Sequence, residues 1–351
     1  MEKKIKTVLT GDRPTGRLHL GHFVGSIQNR LKLQDEAEKS FYMIADVQAL
    51  TDNADNPEKV RSNVLEIAMD NLACGLDPEK TTFFIQSGIP EIAELTVFFM
   101  NLVTLQQLSH NPTIKSESAE KGFSLATKLL DNEGDENSKG VPLGFLAYPV
   151  SQSADILAFK ATTVPVGIDQ MPVIEQANDI AKKFNAIYDT GIFEKIEGVV
   201  GSVPRLVGTD GNAKMSKSLG NCIYISSSDK EIEEQVMSMY TDPNHLRVED
   251  KGKVEGNTVF TYLDIFDPNI DEVTELKKQY ENGGLGDVVI KKRLIKILQE
   301  IITPIRTQRE KLAKNPEKVI QILKDGTERA RKTAMETLVE VKRALRIDYF
   351  K

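Results

Sequence analysis

The sequence predicts an α/β domain built on a parallel sheet, followed by an all-helical C-terminal domain. In the first part of the chain, short apolar runs rich in β-forming residues alternate with amphipathic helical patterns, which is typical of βαβ units. After Ser218 the apolar residues recur only at helical spacing. A chain of 351 residues is long enough for about two domains. We therefore expect domains over 1–220 and 221–351, and part of the helical tail can pack back on the first.

Strands and helices are expected in alternation along the first domain. The runs predicted as strands are 5–10, 41–50, 81–87 and 162–167. The runs predicted as helices are those that begin at Gly21, Pro57, Ile89, Ser153 and Gln170. The tail has helical patterns over 230–241, 273–281, 288–314 and 316–346. The polar segment 115–140, Gly-rich at its end, is expected to be an excursion outside these elements.

The composition is that of a globular protein without membrane or disulfide features. It is 40% hydrophobic and 28% charged, and its longest apolar stretch, 92–105, is too short to span a bilayer. The N-terminal residues lack the apolar run of a signal peptide. Cys74 and Cys222 stand alone, without metal-binding or redox spacing. We expect a cytoplasmic protein with no disulfide, no metal site and no membrane partner.

The charge is distributed unevenly between the body and the tail. From Leu276 to Lys351 there are 19 Lys and Arg against 10 Asp and Glu, a net charge of +9. Since the whole chain carries −7, the first 275 residues carry −16. A basic tail on an acidic body can mark a nucleic-acid surface, although a solvated helical face alone accounts for such a pattern.

The segment LHLGH (18–22) lies where a predicted strand gives way to a predicted helix. Backbone N–H groups at a helix N-terminus favour anions, and glycines at 16, 21 and 25 permit close approach of a ligand. His19 and His22 lie three residues apart on one helical face, so both imidazoles can reach one phosphate. Such a histidine pair is also common on helix surfaces, and the segment is not a Walker loop.

The segment GTDGNAKMSKS (208–218) combines a flexible approach with two lysines. Gly208 and Gly211 precede Lys214 and Lys217, which flank a methionine and a serine. Two lysines on a mobile loop suit a polyphosphate whose charge grows during a reaction. A solvated linker with ordinary charges is the alternative.

LHLGH followed by KMSKS resembles the paired signatures of the class I aminoacyl-tRNA synthetases. The region 146–185, with its elements YP, ADIL, VPVGIDQ and NDIAKKFN, resembles the amino-acid pocket of the tryptophanyl-tRNA synthetases of bacterial type. The resemblance covers essentially the whole chain. It implies a Rossmann-like nucleotide-binding domain over 1–220 and an anticodon-binding helical domain over 221–351. It also implies a homodimer that uses ATP with Mg²⁺, L-tryptophan and tRNA(Trp).

The resemblance assigns roles to individual residues. The catalytic residues would be His19, His22, Lys214 and Lys217, which stabilise charge on the phosphates. The ATP site would comprise Arg13, Pro14, Thr15, Gly21, His22, Gly25, Gly167, Ile168, Asp169, Leu206, Lys214, Met215, Ser216, Lys217 and Ser218. The tryptophan site would comprise Leu9, Gln48, Tyr148, Gln152, Asp155, Val164, Val166 and Gln170. In it Asp155 would accept from the indole N–H, while Tyr148 and Gln170 would hold the ammonium group.

The residues around Asp155 fit this role chemically. Tyr148, Gln152 and Asp155 fall at i, i+4 and i+7, one face of a helix. The indole N–H is only a donor, and a buried carboxylate left unpaired by tyrosine or phenylalanine would penalise those substrates. A surface acid or a helix cap at Asp155 is the other interpretation of the spacing.

Several positions depart from the commoner bacterial pattern. Arg13 replaces a glutamine, and His19 and His22 replace a threonine and an asparagine. Leu9, Gln48 and Gln152 replace an aromatic residue, a histidine and a methionine. The histidines restore the general class I signature, whereas Arg13 can pair with either a carboxylate or a phosphate.

Three other functions compete with tryptophan activation. One is a tyrosyl-tRNA synthetase, for which a GSDQ-type turn is expected in place of VGIDQ. A second is an adenylyl transferase that acts without RNA, and a third is a non-catalytic protein of synthetase fold.

Overall fold

A computed structural model of the chain describes residues 5–123, 141–201, 206–211 and 215–350. Its described part contains a five-stranded sheet in the order β3-β2-β1-β4-β5, and every pairing is parallel. The strands are β1 (Ile5–Asp12), β2 (Ala37–Ile44), β3 (Thr81–Ile85), β4 (Thr163–Val166) and β5 (Glu197–Val200). The chain order reverses between β1 and β4. Ligands of open parallel sheets bind at the carboxyl ends of such a pair.

Helices surround this sheet and make up the region after residue 221. Those of the first part are α1 (Leu20–His22), α2 (Gln28–Glu36), α3 (Asp46–Asn53), α4 (Pro57–Ala73), α5 (Pro90–Met100), α6 (Leu105–His110), α7 (Pro112–Lys121), α8 (Leu143–Ala158) and α9 (Met171–Tyr188). A π-helical turn, Phe23–Ile27, joins α1 to α2. The later helices are α10 (Asp229–Met237), α11 (Thr258–Phe266), α12 (Ile270–Asn282), α13 (Asp287–Ala313) and α14 (Pro316–Ala344). The predicted fold class, a parallel α/β sheet followed by helices, is confirmed.

Two local predictions were wrong. The run 41–50 is not one strand, because β2 ends at Ile44 and α3 begins at Asp46. Oδ1 of Asp46 accepts from the N–H groups of Val47 and Ser87, and an acidic residue in the first turn suits the helix dipole. The predicted excursion at 115–140 is helical up to Lys121, and residues 124–140 lie outside the described part. Asn111 caps that helix and Gly122 ends it in the left-handed conformation.

The two long C-terminal helices pack back against the α/β part. Helix α13 contacts α4, and α14 contacts β3. At the second contact Gly326 lies so close to the sheet that a Cβ there would be 1.8 Å from the carbonyl oxygen of Phe83. A glycine is therefore required where α14 crosses β3. Among the described helices, none combines the length and apolarity needed to cross a membrane.

Candidate active site

The turn between β1 and α1 brings the two histidines together. His19 is the N-cap of α1, and its Nδ1 accepts a 3.1 Å hydrogen bond from the N–H of Gly21. The N–H of His19 donates to Nδ1 of His22 at 3.3 Å, and the ring centroids are 4.0 Å apart. A side chain at position 21 would lie 2.9 Å from the His19 ring. The glycine thus allows the capping that holds both imidazoles side by side.

The lysine-bearing loop lies against this turn. Nζ of Lys217 is close to Gly16, where an added Cβ would lie 3.2 Å from it and where φ is +135°. Met215 is buried and packs beside Gly21. Burial lowers the pKa of Lys217, although the nearby carboxylate of Asp12 acts in the opposite direction. The two sequence motifs therefore meet in space.

Part of the predicted ATP set cannot be placed. Lys214 lies outside the described residues, as do the side chains of Asp169 and Ser218.

Backbone hydrogen bonds connect the histidine turn to the segment that follows the lysine loop. The N–H of Leu20 donates to the carbonyl of Ile223 at 2.9 Å, and the N–H of Ile225 donates to Leu18 at 3.1 Å. These two bonds make the turn and the loop one structural unit.

Asn221 anchors the lysine loop at both of its described ends. It is buried, and its carbonyl accepts from the N–H of Thr209 at 3.1 Å. Its Oδ1 accepts from the N–H of Ser216 at 2.7 Å, and its Nδ2 donates to Asp210 at 3.1 Å. Sequence reasoning did not select Asn221, since an asparagine after a loop has no distinguishing pattern.

A pocket of about 450 Å³ opens at the carboxyl ends of β1 and β4. Ten of the residues predicted to bind substrates line it: Leu9, Arg13, His22, Gln48, Gln152, Asp155, Val164, Val166, Gly167 and Gln170. The pocket is continuous from the apolar strand ends to His22. Its size and its mixed lining suit a small molecule with an apolar ring and a polar end.

Asp155 is the buried acid of this pocket. It lies on α8 with 2% of its surface exposed, and its Oδ1 accepts from Nε2 of Gln86 at 2.7 Å. Oδ2 is buried and has no partner with hydrogen-bond geometry in the described residues. Burial raises the pKa of Asp155 to about 7, although Gln86 and Gln48 lower it. Because buried polar atoms normally have a hydrogen-bond partner, an acceptor without one in a pocket indicates that a bound ligand supplies the donor.

A buried polar network that sequence reasoning missed includes two residues of the pocket wall, Asp12 and Arg30. Arg30 is 4% exposed and forms hydrogen bonds with both oxygens of Asp12, at 2.5 and 2.7 Å. The hydroxyl of Tyr42 donates to the same carboxylate at 2.8 Å, and Asn71 donates to that hydroxyl. Burial alone would raise the pKa of Asp12, but Arg30, with smaller effects of His22 and Tyr42, holds it well below its usual range. The only sign of this network in the sequence is the position of Asp12, between a predicted strand and the turn that follows it.

Arg13 forms an ion pair at the mouth of the pocket. Its Nη1 is 2.7 Å from Oδ2 of Asp52 in α3. Tyr148 is buried nearby but does not line the pocket. Burial, followed by Glu117, raises the pKa of Tyr148, and Arg13 lowers it. The hydroxyl of Tyr148, predicted to hold the ammonium group, thus lies within the electrostatic reach of Arg13 and Glu117.

The remaining predicted ATP residues do not line the pocket. Pro14 and Thr15 form the turn after Arg13, and Gly25 lies in the π-helical turn. Ile168 is 70% exposed. Leu206 is buried, and its carbonyl accepts from the N–H of Met215. Among the described residues, no group of three or more His, Cys, Asp and Glu side chains could hold a metal ion.

Known proteins similar to this chain share its full length. The family described as tRNA synthetases class I (W and Y) matches residues 1–303. The tryptophan–tRNA ligase of Clostridium longisporum is 53% identical over 353 residues, covering 100% of this chain and 99% of its own. The corresponding ligase of Streptococcus mutans is 52% identical, with 98% of both chains covered.

One solved structure extends the similarity to the fold. The tryptophanyl-tRNA synthetase of Campylobacter jejuni, complexed with ADP and tryptophan, matches with a TM-score of 0.81 at 33% identity. The match covers 97% of this chain and 99% of that one.

Proposed function

The chain belongs to the class I tRNA synthetase family for tryptophan and tyrosine and is a tryptophan–tRNA ligase, and from this premise we propose which residues carry out its reaction. The carboxylate of tryptophan attacks the α-phosphate of ATP, which gives tryptophanyl-adenylate and pyrophosphate. The tryptophanyl group then passes to the terminal adenosine of tRNA(Trp). Such a reaction is accelerated by positioning and by charge stabilisation, and it needs no covalent enzyme intermediate.

Asp155 carries the choice of amino acid in this proposal. The supporting observation is its buried Oδ2, which has no hydrogen-bond partner among the described residues and lies in a pocket with a partly apolar lining. An indole N–H would satisfy that oxygen, whereas a phenylalanine ring would leave it unpaired. The ring would rest between Leu9, Val164 and Val166, with Gln48 and Gln152 completing the wall. Tyr148 and Gln170 are proposed to hold the ammonium group.

The ATP phosphates are proposed to bind where the two motifs meet. His19 and His22 would donate to charge that develops on the α-phosphate. Lys214 and Lys217 would bind the leaving pyrophosphate, with Met215 and Ser216 between them. The close approach of Lys217 to Gly16 supports this arrangement. Each contact would be stronger in the transition state than with bound substrate, which is the condition for catalysis.

Smaller contacts would hold the rest of the nucleotide. Gly167, Ile168, Asp169 and Leu206 are proposed for the nucleoside, and Arg13, Pro14, Thr15, Gly21, Gly25 and Ser218 for the phosphates and ribose. Arg13 is already paired with Asp52, so it would reach a substrate anion only from that tethered position. Mg²⁺ would enter with ATP as part of the substrate complex and neutralise the phosphate charge.

The partners follow from the family and from the charge distribution. We assign the catalytic reaction to residues 1–220 and tRNA binding to the helical region 221–351. Its last part, from Leu276 to Lys351, carries a net charge of +9, which suits phosphate contacts. A homodimer in the cytoplasm is proposed on the same resemblance.

Exchange of labelled pyrophosphate into ATP, dependent on a single amino acid, tests the proposal. Tryptophan should support exchange and tyrosine should not. Exchange with tyrosine alone would indicate the tyrosine-specific branch of the family, and exchange with no amino acid would indicate a non-catalytic protein. Charging of tRNA(Trp) by the same preparation tests the second step. An adenylyl transferase that acts without RNA would show exchange without charging.

A further inference from the structure

The backbone before His19 is held by a buried carboxylate from another helix. Oδ2 of Asp70 in α4 accepts a 2.8 Å hydrogen bond from the N–H of Leu18, and Asp70 is fully buried. Its other oxygen accepts from Nε of Arg309 in α13 at 2.6 Å. One carboxylate therefore joins the turn that carries the histidines to a helix of the C-terminal region.

The same helix also holds the far side of this turn. Residues 223–225 pair with the turn through the backbone, and two positions later Ser227 accepts from Nη1 of Arg306 at 2.6 Å. Arg306 and Arg309 lie three positions apart, on one face of α13. Helix α13 is therefore linked to both sides of the backbone pairing, to the histidine turn through Asp70 and to the segment after residue 225 through Ser227.

The contact through Asp70 is sensitive to the position of its partners. A fully buried carboxylate is costly unless each oxygen has a donor. Burial raises the pKa of Asp70, while the N–H of Leu18 and Arg309 oppose that rise. Asp70 does not line the pocket, and its contact with the turn is the hydrogen bond from Leu18. Its charge also acts to raise the pKa of Lys217. Loss of Arg309 would leave Asp70 undercompensated and would loosen its hold on the turn.

We propose that Asp70 and Arg309 are a positioning pair, which fixes the turn before His19 in the conformation needed for adenylate formation and ties that conformation to the seating of α13. The inference rests on the proposed role of His19 and His22 at the ATP phosphates. The pair touches no substrate. Its effect is on the direction in which the histidines are held, and small displacements of positioned groups reduce catalysis steeply.

Amino-acid-dependent pyrophosphate exchange of the full-length protein tests the pair. Arg309→Gln should lower kcat about 10- to 100-fold and leave the KM for tryptophan within about twofold. Arg309→Lys should recover part of the loss, because an ammonium can still reach Asp70. Glu66→Gln is the matched control, since Glu66 is the other carboxylate on Arg309 and its change leaves the contact with Asp70 in place. The kcat of Glu66→Gln should stay near that of the wild-type protein.

Two further variants separate positioning from general loosening. Arg331→Gln breaks a 2.9 Å ion pair with Glu91, which joins α14 to α5 far from the turn in sequence. It should not reproduce the loss of kcat. Asp70→Asn combined with Arg309→Gln should lose little more than Arg309→Gln alone, because coupled partners are not additive.

The outcomes of this experiment are distinct. An unchanged kcat in folded Arg309→Gln, or an equal loss in Arg331→Gln, would overturn the positioning role. If Arg309→Gln does not fold, as judged by circular dichroism, Arg309→Lys carries the same comparison of kcat with KM. Absence of tryptophan-dependent exchange in the wild-type protein would overturn the proposed function itself, which is a separate failure.

Discussion

Gln86 donates a 2.7 Å hydrogen bond to Oδ1 of Asp155 and so leaves Oδ2 as the oxygen that a ligand can reach. Gln86 is itself held, because its Oε1 accepts from the N–H of Gln48 at 3.1 Å. Both glutamines are buried. The direction of the Asp155 carboxylate is therefore set before any amino acid binds, which reduces the entropy lost on binding.

Tryptophan binding should strengthen as Asp155 ionises. Because the pKa of Asp155 is raised to about 7, the affinity should increase as the pH rises from about 6 to about 8. Asp155→Asn should bind tryptophan more weakly and with little dependence on pH over this range. The chain contains no tryptophan, so the indole fluorescence of the ligand can be followed without a background of protein tryptophan.

Direct binding without ATP keeps the titration of the nucleotide out of this measurement. Gln152→Met changes another residue of the pocket wall without removing a titratable group, and it should keep the wild-type pH dependence. A pH profile of Asp155→Asn equal to that of the wild type would remove Asp155 from the indole contact.

Asp155→Asn should also stabilise the ligand-free protein at higher pH. A carboxyl group whose pKa is raised by folding favours the folded state below its unfolded pKa, and this contribution is lost as the pH rises through about 7. Asp155→Asn removes the buried charge, so its free energy of unfolding at about pH 8 should exceed that of the wild type by roughly 1–3 kcal/mol. Urea unfolding at about pH 5 and about pH 8 measures the difference. An equal difference in the free energy of unfolding between variant and wild type at both pH values would contradict the raised pKa of Asp155.

Asn221→Ala should slow adenylate formation without weakening tryptophan binding. The side chain holds Ser216 and Asp210, so its loss releases the loop that carries the lysines. We expect kcat for pyrophosphate exchange to fall about 10-fold or more, because preorganised charge is lost from the transition state. Asn178→Ala is a matched control, since Asn178 bridges the backbone N–H and carbonyl of Ile196 in the same manner away from the loop. Equal losses of kcat in the two variants would argue against a special role for Asn221.

Lys214→Ala should affect the chemical step far more than tryptophan binding. Its proposed contact is with the pyrophosphate as charge develops, so the loss belongs to kcat and to kcat/KM. A rapid-quench experiment under single-turnover conditions measures the rate of adenylate formation. The fluorescence of bound tryptophan measures its binding. A similar fractional loss in both would place Lys214 in ground-state binding instead.

Periodicity and motifs predicted the sheet and the meeting of the motifs, but not the contacts that support them. The strand-and-helix alternation follows from local sequence, as does the helical face shared by Gln152 and Asp155. The support of Asp155 by Gln86 joins residues 69 positions apart, and the contact of Arg309 with Asp70 spans 239. Such pairs depend on how helices pack over the sheet, and no local spacing encodes them.

The errors have local physical reasons. A buried strand followed directly by a helix reads as one apolar run, and only the hydrogen bonds to Asp46 mark the boundary at Ile44. Strand β5 was not among the predicted strands. It is short and only partly buried, so it lacks the apolar run that identifies a strand. Helix α11 was not predicted either. It follows the polar loop before Asn257, and its nine residues are too few for a clear helical periodicity.

Arg30→Met should destabilise the fold and change its response to acid. Removal of one partner from a buried ion pair leaves Asp12 uncompensated, at a cost of about 3–5 kcal/mol. In the wild type the lowered pKa of Asp12 contributes stability that is fully present above the unfolded pKa of about 3.9. This contribution is lost progressively as the pH falls below that value toward the much lower pKa of the folded state. Asp12→Asn should remove this part of the acid dependence while keeping the hydrogen bonds that an amide can make. Urea unfolding of the wild type and both variants between about pH 3 and about pH 7 tests the pair. The control is Lys80→Met, which breaks an exposed ion pair with Asp35 and should leave the free energy of unfolding close to that of the wild type. If Arg30→Met is no less stable than Lys80→Met, the buried network of Arg30 and Asp12 does not support the fold.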